Sequence, residues 1–167
     1  MQDMRYKGNV FFDVESLFLP KDNVACNYHK LPQLTTRQVD ISQYSFFSDV
    51  MDQQMYIVSD AMNDLLALFI PDIDYRVFCL LDHGNKIFKY YYAYLFNSLD
   101  CFSEKSEANR DRSRISNLVL RKDTIQGRDV FKVGGVNCHV VVVSLPVAEA
   151  VLRRNFKGFQ LVKVEIE

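Results

Sequence analysis

The sequence predicts an α+β fold, with a mixed or antiparallel β-sheet on which two helices pack. Two observations support this prediction. A unit made of a short apolar strand, a serine, an amphipathic helix and a second strand occurs twice, at residues 56–80 and 141–164. Between the two copies, residues 88–96 carry an aromatic side chain at every second position, which is typical of a strand.

The N-terminal part, residues 1–54, shows the weakest patterns. Residues 10–14 are rich in strand-forming side chains and predict a first strand. Residues 20–40 have no clear period, so they contain either a short element that the pattern hides or a functional surface loop. Residues 41–51 alternate weakly and fit either a strand or a helical turn.

The first copy of the repeated unit follows. Ser59 is predicted to cap the helix, because a serine hydroxyl can accept a hydrogen bond from a free amide of the first turn. Pro71 ends the helix, and residues 74–80 form the next strand before a turn at 82–85. One helical face carries the apolar side chains that should be buried, which are Met62, Leu65, Leu66 and Phe69.

The aromatic segment, residues 86–99, is predicted to be one long strand, with a helix as the alternative. Residues 103–114 are polar and predict a solvated loop or a short exposed helix. A short strand is expected at 115–120, followed by a polar connection at 123–129. The pair Gly134-Gly135 favours a two-residue hairpin turn between strands at 130–133 and 136–143.

The second copy closes the chain. Ser144 is the predicted cap of its helix, and Pro146 fits the first turn, where a missing amide proton costs little. Gly158 is expected to end this helix, and residues 159–165 form the last strand. Both serines therefore have a structural role in this interpretation.

Length and charge limit the classes of protein. A chain of 167 residues predicts a single domain, 1–167, that buries a sizeable core. The net charge of -1 argues against a general nucleic-acid binder, because such proteins usually carry a basic excess. Widely spaced cysteines, no apolar signal segment and no long apolar run predict a cytoplasmic protein without a membrane span.

The sequence predicts no catalytic residues, no metal site and no cofactor. Cys26 and His29 are three residues apart and Cys138 and His139 are adjacent, but structural zinc sites show tighter pairs of ligands. Adjacent strand residues also point to opposite faces, so Cys138 and His139 are poorly placed to share a metal. The common phosphate-binding, dinucleotide-binding and hydrolase motifs do not occur. We therefore expect a protein that is not an enzyme.

Two stretches have the composition of a partner-binding surface. Tyr90 and Tyr92 belong to the aromatic segment, which is either a sheet face under helices, a protein interface or a stacking platform for single-stranded RNA. The charged segment at 103–114 is either a solvated loop or a recognition loop whose arginines bind carboxylates or phosphates. Its candidate contact residues are Glu104, Glu107, Arg110, Arg112 and Arg114.

The order of several short motifs resembles a family of bacterial immunity proteins from polymorphic-toxin systems, first catalogued as a domain of unknown function. The resemblance covers residues 55–165, and the N-terminal part matches less well. It rests on a strand that ends in Val58-Ser59, a Tyr-rich strand that runs into Asn97 and Asp100, and later elements along the chain. These later elements are Glu104-Lys105-Ser106, Asp129-Val130-Phe131, Val143-Ser144 and Gly158-Phe159.

This resemblance implies a non-enzymatic protein that binds a cognate bacterial toxin, as a heterodimer or a higher complex, and neutralises it by occluding its active site. No catalytic residue is carried over from the family pattern. The alternatives are an enzyme that reverses a toxin's covalent modification, and a nucleic-acid-binding module that uses residues 88–96.

Overall fold

The structure is a computed structural model, and it describes residue 28 and residues 31–39, 47–52 and 55–167. The strand predicted at 10–14 and the uncertain residues 41–46 lie outside the described residues. Within them the fold is α+β with mixed sheets, as the sequence predicts. The aromatic segment contains strand and not helix, but the single long strand predicted at 86–99 is two strands in different sheets, Ile87–Tyr94 and Ser98–Leu99.

The described residues form three short helices and twelve strands. The helices are α1 (Asp60–Leu66), α2 (Lys122–Ile125) and α3 (Leu145–Arg153). The first five strands are β1 (Leu34–Gln38), β2 (Val50–Asp52), β3 (Tyr56–Ser59), β4 (Tyr75–Asp82) and β5 (Ile87–Tyr94). The remaining strands are β6 (Ser98–Leu99), β7 (Glu107–Ala108), β8 (Ile115–Asn117), β9 (Val119–Leu120), β10 (Val130–Val133), β11 (Val141–Val143) and β12 (Glu165–Ile166).

The chain divides into two compact units, and each unit is built from several separate segments. The first unit contains the described residues up to 64 together with 74–95 and 156–158, and the second contains 65–73, 96–155 and 159–167. This division does not test the prediction of a single domain, which stays a prediction.

The first unit contains a five-stranded sheet in the order β1-β4-β5-β3-β2. Strands β4 and β5 form an antiparallel hairpin closed at Asp82, whose carboxylate accepts a hydrogen bond of 3.0 Å from the amide of Asn85. Strand β1 joins parallel to β4, so the sheet is mixed. Strand β1 is also the short element that the composition of residues 20–40 hides.

One face of this sheet is the core of the first unit. Tyr91 and Ala93 of β5 are buried there against Phe78 and Leu80 of β4, in line with the period of two along a strand. Tyr28 is fully buried in the same cluster, and its hydroxyl donates to the carbonyl of Ala93 at 3.1 Å. Alternation therefore places the even-numbered aromatic residues of β5 on the opposite face.

The second unit contains three small sheets. Strand β10 pairs antiparallel with β11 and parallel with β6, while β9 pairs with β12, and β7 pairs with β8 as a hairpin. Its core is formed by Cys101, Leu120, Phe131 and Val133, all of which are buried. The Gly134-Gly135 hairpin is present, but its strands pair Val130 with Val143, so the connection is residues 134–140 and not two residues.

Three other predicted elements have different bounds in the structure. The strand predicted at 115–120 is divided into β8 and β9, which pair with different partners. The polar connection at 123–129 begins within α2, and the last strand is only β12. These short elements are placed by tertiary pairing, which local patterns do not encode.

The repeated strand–Ser–helix–strand unit is not confirmed as a structural repeat. Its order occurs in both places, but β3 and β4 belong to one sheet, where both pair with β5, while β11 and β12 belong to different sheets. The shared feature is an aspartate directly before the neighbouring antiparallel strand. The Ser59 hydroxyl donates to the carboxylate of Asp49 at 2.8 Å, and the Ser59 amide donates to the carbonyl of Asp49 at 2.9 Å. Ser144 makes the same two bonds to Asp129, at 2.7 Å to the carboxylate and 2.8 Å to the carbonyl.

The two serines differ at the helix start. The amide of Met62 donates to the Ser59 hydroxyl at 3.3 Å, as expected of a cap. Ser144 occupies the N-cap position of α3, but its hydroxyl makes no hydrogen bond to a helix amide. Pro146 lies in the first turn and has no amide proton, which removes one of the amides that a serine cap usually binds.

Candidate partner-binding surfaces

The even-numbered aromatic residues of β5 fall into two groups, those that bind α1 and those that do not. The hydroxyl of Tyr92 donates to Asp60 at 2.8 Å, and that of Tyr94 donates to Asn63 at 2.7 Å. Tyr75 of β4 adds an edge-to-face contact to the ring of Tyr92, with 5.3 Å between centroids. This end of the aromatic strand is therefore packed within the protein.

The other end of the same strand is open. Phe88 is 59% exposed and Tyr90 is 39% exposed, and their rings contact each other edge to face at 5.7 Å. Register places Leu81 opposite Phe88 and Cys79 opposite Tyr90, both half-buried on the same face. Leu34 of β1 lies on the same side of the sheet, level with Val77 and Tyr92, and is 55% exposed. We call these five residues the aromatic face.

Burial affects three tyrosines of β5, which are Tyr92 and Tyr94 on the even-numbered face and Tyr91 on the opposite, core face. It is the main cause that raises the pKa of Tyr91, Tyr92 and Tyr94, and the hydrogen bond to Asp60 adds to it for Tyr92. These phenols stay protonated at neutral pH. They are structural hydrogen-bond donors, and they do not form an acid–base group.

The second candidate surface is a hairpin of the second unit, which begins at the predicted Glu104-Lys105-Ser106 element. The buried hydroxyl of Ser103 donates to Glu167, and Lys105 forms an ion pair with the same carboxylate. This pair raises the pKa of Lys105 and, with the bond from Ser103, lowers that of Glu167. Ser106 exchanges two hydrogen bonds of 2.9 Å with the backbone of Val119, so the base of the hairpin is anchored.

The tip of the hairpin, residues 109–114, is closed by internal hydrogen bonds. The amide of Asn109 donates to the carbonyl of Arg114 at 3.0 Å, and the amide of Arg114 donates back to the Asn109 side chain at 2.9 Å. Asp111 accepts hydrogen bonds from the amide and the hydroxyl of Ser113, which lower its pKa. We call this segment the hairpin tip.

Arg112 attaches the hairpin tip to the connection between β10 and β11. Its guanidinium lies 5.0 Å from the ring centroid of Phe102 and donates to the carbonyl of Gly135 at 3.1 Å. Asn137 donates to the carbonyl of Arg112 from its amide at 3.0 Å and to the carbonyl of Asp111 from its side chain. Arg112 is thus engaged within the protein.

The predicted contact residues separate into two groups. Tyr92 is half-buried and Arg112 is exposed, and the side chains of both have hydrogen-bond partners within the protein. The other predicted contact residues are exposed, and these are Tyr90, Glu104, Glu107, Arg110 and Arg114. The two tyrosines belong to the first unit and the five charged residues to the second. Sequence reasoning missed Leu34, because nothing in residues 20–40 signals that its strand extends the aromatic face.

The described residues do not bring metal ligands together. No group of three or more His, Cys, Asp and Glu side chains lies close enough there to hold a metal ion, and Cys26 and His29 lie outside the described range. Burial raises the pKa of the thiols of Cys101 and Cys138. A raised pKa disfavours the thiolate that nucleophilic catalysis uses.

No helix in the described part of the chain is long and apolar enough to cross a membrane.

Comparison with models of protein families identifies the family of this chain. A family model described as Immunity protein family (Imm11) matches residues 5–165. The match includes most of residues 1–54, where the sequence motifs show little likeness. No curated protein and no solved structure matches this chain.

Proposed function

The chain belongs to the Imm11 immunity protein family, and we propose that it binds one cognate bacterial toxin in the cytoplasm and neutralises it. The family match over nearly the whole chain is the observation that carries this proposal. Immunity protein families are generally non-enzymatic. Neutralisation by binding needs a preformed surface that complements the toxin, and it needs no reacting group.

The mechanism that we propose is occlusion of the toxin's active site in a stable complex. A stable protein–protein interface buries roughly 800 Å² on each partner. A few aromatic or arginine side chains near the centre of such an interface usually contribute most of the binding free energy. The aromatic face offers side chains of this kind on a rigid sheet.

The size of the aromatic face fits a central anchor. A Phe or Tyr side chain has roughly 200 Å² of surface, so the exposed parts of Phe88 and Tyr90 together with Leu34 offer about 300 Å². Exposed apolar patches of about this size are often functional. The patch is smaller than a complete interface, so polar surroundings must supply the rest of the contact.

The test begins with the toxin encoded beside this chain's gene. We expect the two purified proteins to form a complex in titration calorimetry, and co-expression to restore growth of cells that produce the toxin. Phe88→Ala and Tyr90→Ala should each weaken the complex by about 30-fold, which corresponds to a hot-spot loss of about 2 kcal/mol. Their free energy of unfolding should fall by about 1 kcal/mol, because each change removes the ring contact and the strand preference of an aromatic residue but little of the core.

The matched control is Leu152→Ala, which truncates an apolar side chain on α3 that is 66% exposed. It should bind the toxin as the wild type does. The proposal is wrong if the wild-type protein neither binds the toxin nor protects the cell. The assignment of the aromatic face alone is wrong if Phe88→Ala binds no more weakly than Leu152→Ala.

One observation favours a second candidate function, the binding of single-stranded RNA. Exposed rings at Phe88 and Tyr90 could stack on bases, and Lys86 lies in the exposed turn before them. Tyr92 and Tyr94 are occupied by Asp60 and Asn63, which shortens the platform to two rings. RNA binding that weakens steeply with salt and is lost in Phe88→Ala would favour this candidate.

The alternative of an enzyme that reverses a toxin modification has less support. Where the pKa of a cysteine or tyrosine shifts, it rises, as for Cys101, Cys138 and Tyr91. A nucleophile at neutral pH needs the opposite shift.

A further inference from the structure

We propose that the hairpin tip docks against a carboxylate-rich surface of the toxin, with Arg110 and Arg114 as the contacting residues and Arg112 as the residue that positions them. This inference rests on the proposed function and specifies the partner's chemistry. It is carried by three observations on the second unit: the tip is braced, the brace requires unfavourable backbone geometry, and the charge that it presents is unpaired.

The brace joins the tip to a second loop. Arg112 reaches the ring of Phe102 and the carbonyl of Gly135, and Asn137 donates twice to the backbone of the tip. Together with the internal bonds of Asn109, these contacts fix the backbone of a largely exposed loop. A loop that is ordered before binding loses less conformational entropy when it meets a partner.

The geometry of the brace is specialised. Arg112 has a φ of 55°, in the left-handed region that side chains with a Cβ atom disfavour. On the other side of the brace, Gly135 accepts the bond from Arg112 at a φ of 72°, which glycine adopts without steric cost. Unfavourable geometry of this kind concentrates at binding sites, where position matters more than local stability.

The charge of the tip is positive and available. Arg110 and Arg114 are exposed and form no ion pair with any residue that the structure describes. The carboxylate of Asp111 is occupied by Ser113. Three arginines against one aspartate leave the tip with a net positive charge. Guanidinium groups bind carboxylates through paired hydrogen bonds, and an arginine is a common anchor at protein interfaces.

The balanced charge of the whole chain favours protein carboxylates over a polyanion as the partner. Twenty basic and 21 acidic residues do not create the long-range positive field that nucleic-acid binders use. A local pair of arginines on a near-neutral protein instead fits an acidic patch on a second protein.

The experiment compares two double variants that remove the same charge. Arg110→Ala/Arg114→Ala removes the proposed contacts, and Lys122→Ala/Arg128→Ala removes two other exposed cations of the second unit. Binding kinetics with the purified toxin are measured at about 50 and about 300 mM salt, where screening differs strongly. We expect the first variant to bind at least about tenfold more weakly at low salt and to lose most of the salt dependence, while the second follows the wild type.

The positioning role has its own readout. Arg112→Ala should increase hydrogen exchange of the amides in the hairpin tip and slow association with the toxin, while its urea midpoint stays near that of the wild type. Equal exchange rates in Arg112→Ala and the wild type would show that Arg112 does not brace the tip and would overturn this role.

Three outcomes overturn the inference as a whole. Equal toxin affinity of the two double variants would show that the tip makes no special contact. Loss of binding to a single-stranded RNA of about ten nucleotides in Arg110→Ala/Arg114→Ala, with toxin binding unchanged, would assign the tip to phosphates. No binding of the toxin by the wild-type protein would overturn the proposed function and this inference with it.

Discussion

Removal of the Asp49 carboxylate should destabilise the protein more than its half-exposed position indicates. Asp49 precedes β2, and one of its oxygens accepts from the Ser59 hydroxyl at 2.8 Å. The other oxygen accepts from the amide of Lys157 at 2.8 Å. Ser59 in turn accepts from the amide of Met62, so one side chain connects two strands, a helix start and a distant segment of the chain.

The magnitude follows from these two bonds. Hydrogen bonds to a charged group contribute about 1.5–3 kcal/mol each, and the lower value applies to Asp49 because its surroundings are partly solvated. Asp49→Ala should therefore lower the free energy of unfolding by about 3 kcal/mol. Asp49→Asn should cost about half as much, because its amide group keeps one acceptor oxygen and loses the other.

Urea unfolding followed by circular dichroism measures both changes. Asp72→Ala, which removes an exposed carboxylate, is the control and should change stability by less than about 0.5 kcal/mol. A double-mutant cycle of Asp49→Ala with Ser59→Ala should give a coupling energy of about 1 kcal/mol. The reasoning is refuted if Asp49→Ala costs no more than the control, or if the coupling energy is zero.

Two further predictions concern backbone geometry and pH. Gly158→Ala should destabilise the protein by more than about 2 kcal/mol, because φ there is 99° and the new Cβ atom would lie 1.7 Å from the Ser48 hydroxyl. Gly127→Ala is the control, because φ there is 72° but the new Cβ atom would have no neighbour within 4 Å. It should cost about 1 kcal/mol in the same urea assay. Pairing with Lys105 depresses the folded pKa of Glu167, so its stabilisation is present above the unfolded pKa, near 4.5, and is lost as pH falls through the folded value. Thermal unfolding should therefore show a gap between wild type and Glu167→Gln at pH 7 that closes in acid, and a gap that does not change with pH would contradict the assignment.

Local patterns predicted the elements that have a strong period or a clear boundary. Alternation along residues 88–96 predicted β5, and the amphipathic face after Ser59 predicted α1. The same alternation could not show that α1 covers only Tyr92 and Tyr94, since that depends on where the helix lies on the sheet. The sequence therefore predicted that aromatic residues of this strand form the candidate site, and the structure shows which of them are exposed.

The charged hairpin shows the same limit. Its composition identified Arg110, Arg112 and Arg114 as equivalent candidates. The contact between Arg112 and Phe102 cannot be predicted from their positions in the sequence. Only the tertiary contacts distinguish the arginine that braces the loop from the two that remain available.

The sequence by itself determined the α+β class, the strand character of the aromatic segment and the likeness to immunity proteins. These three properties depend on the order and the period of residues along the chain, and both can be determined from the sequence. Only the tertiary structure shows that the two strand–Ser–helix units differ in their sheet pairing. It also shows that the serine of each unit binds an aspartate that directly precedes a neighbouring strand. Pairing between segments far apart in the chain is fixed by the packing of the whole fold, so the roles of Asp49 and Asp129 became visible only there.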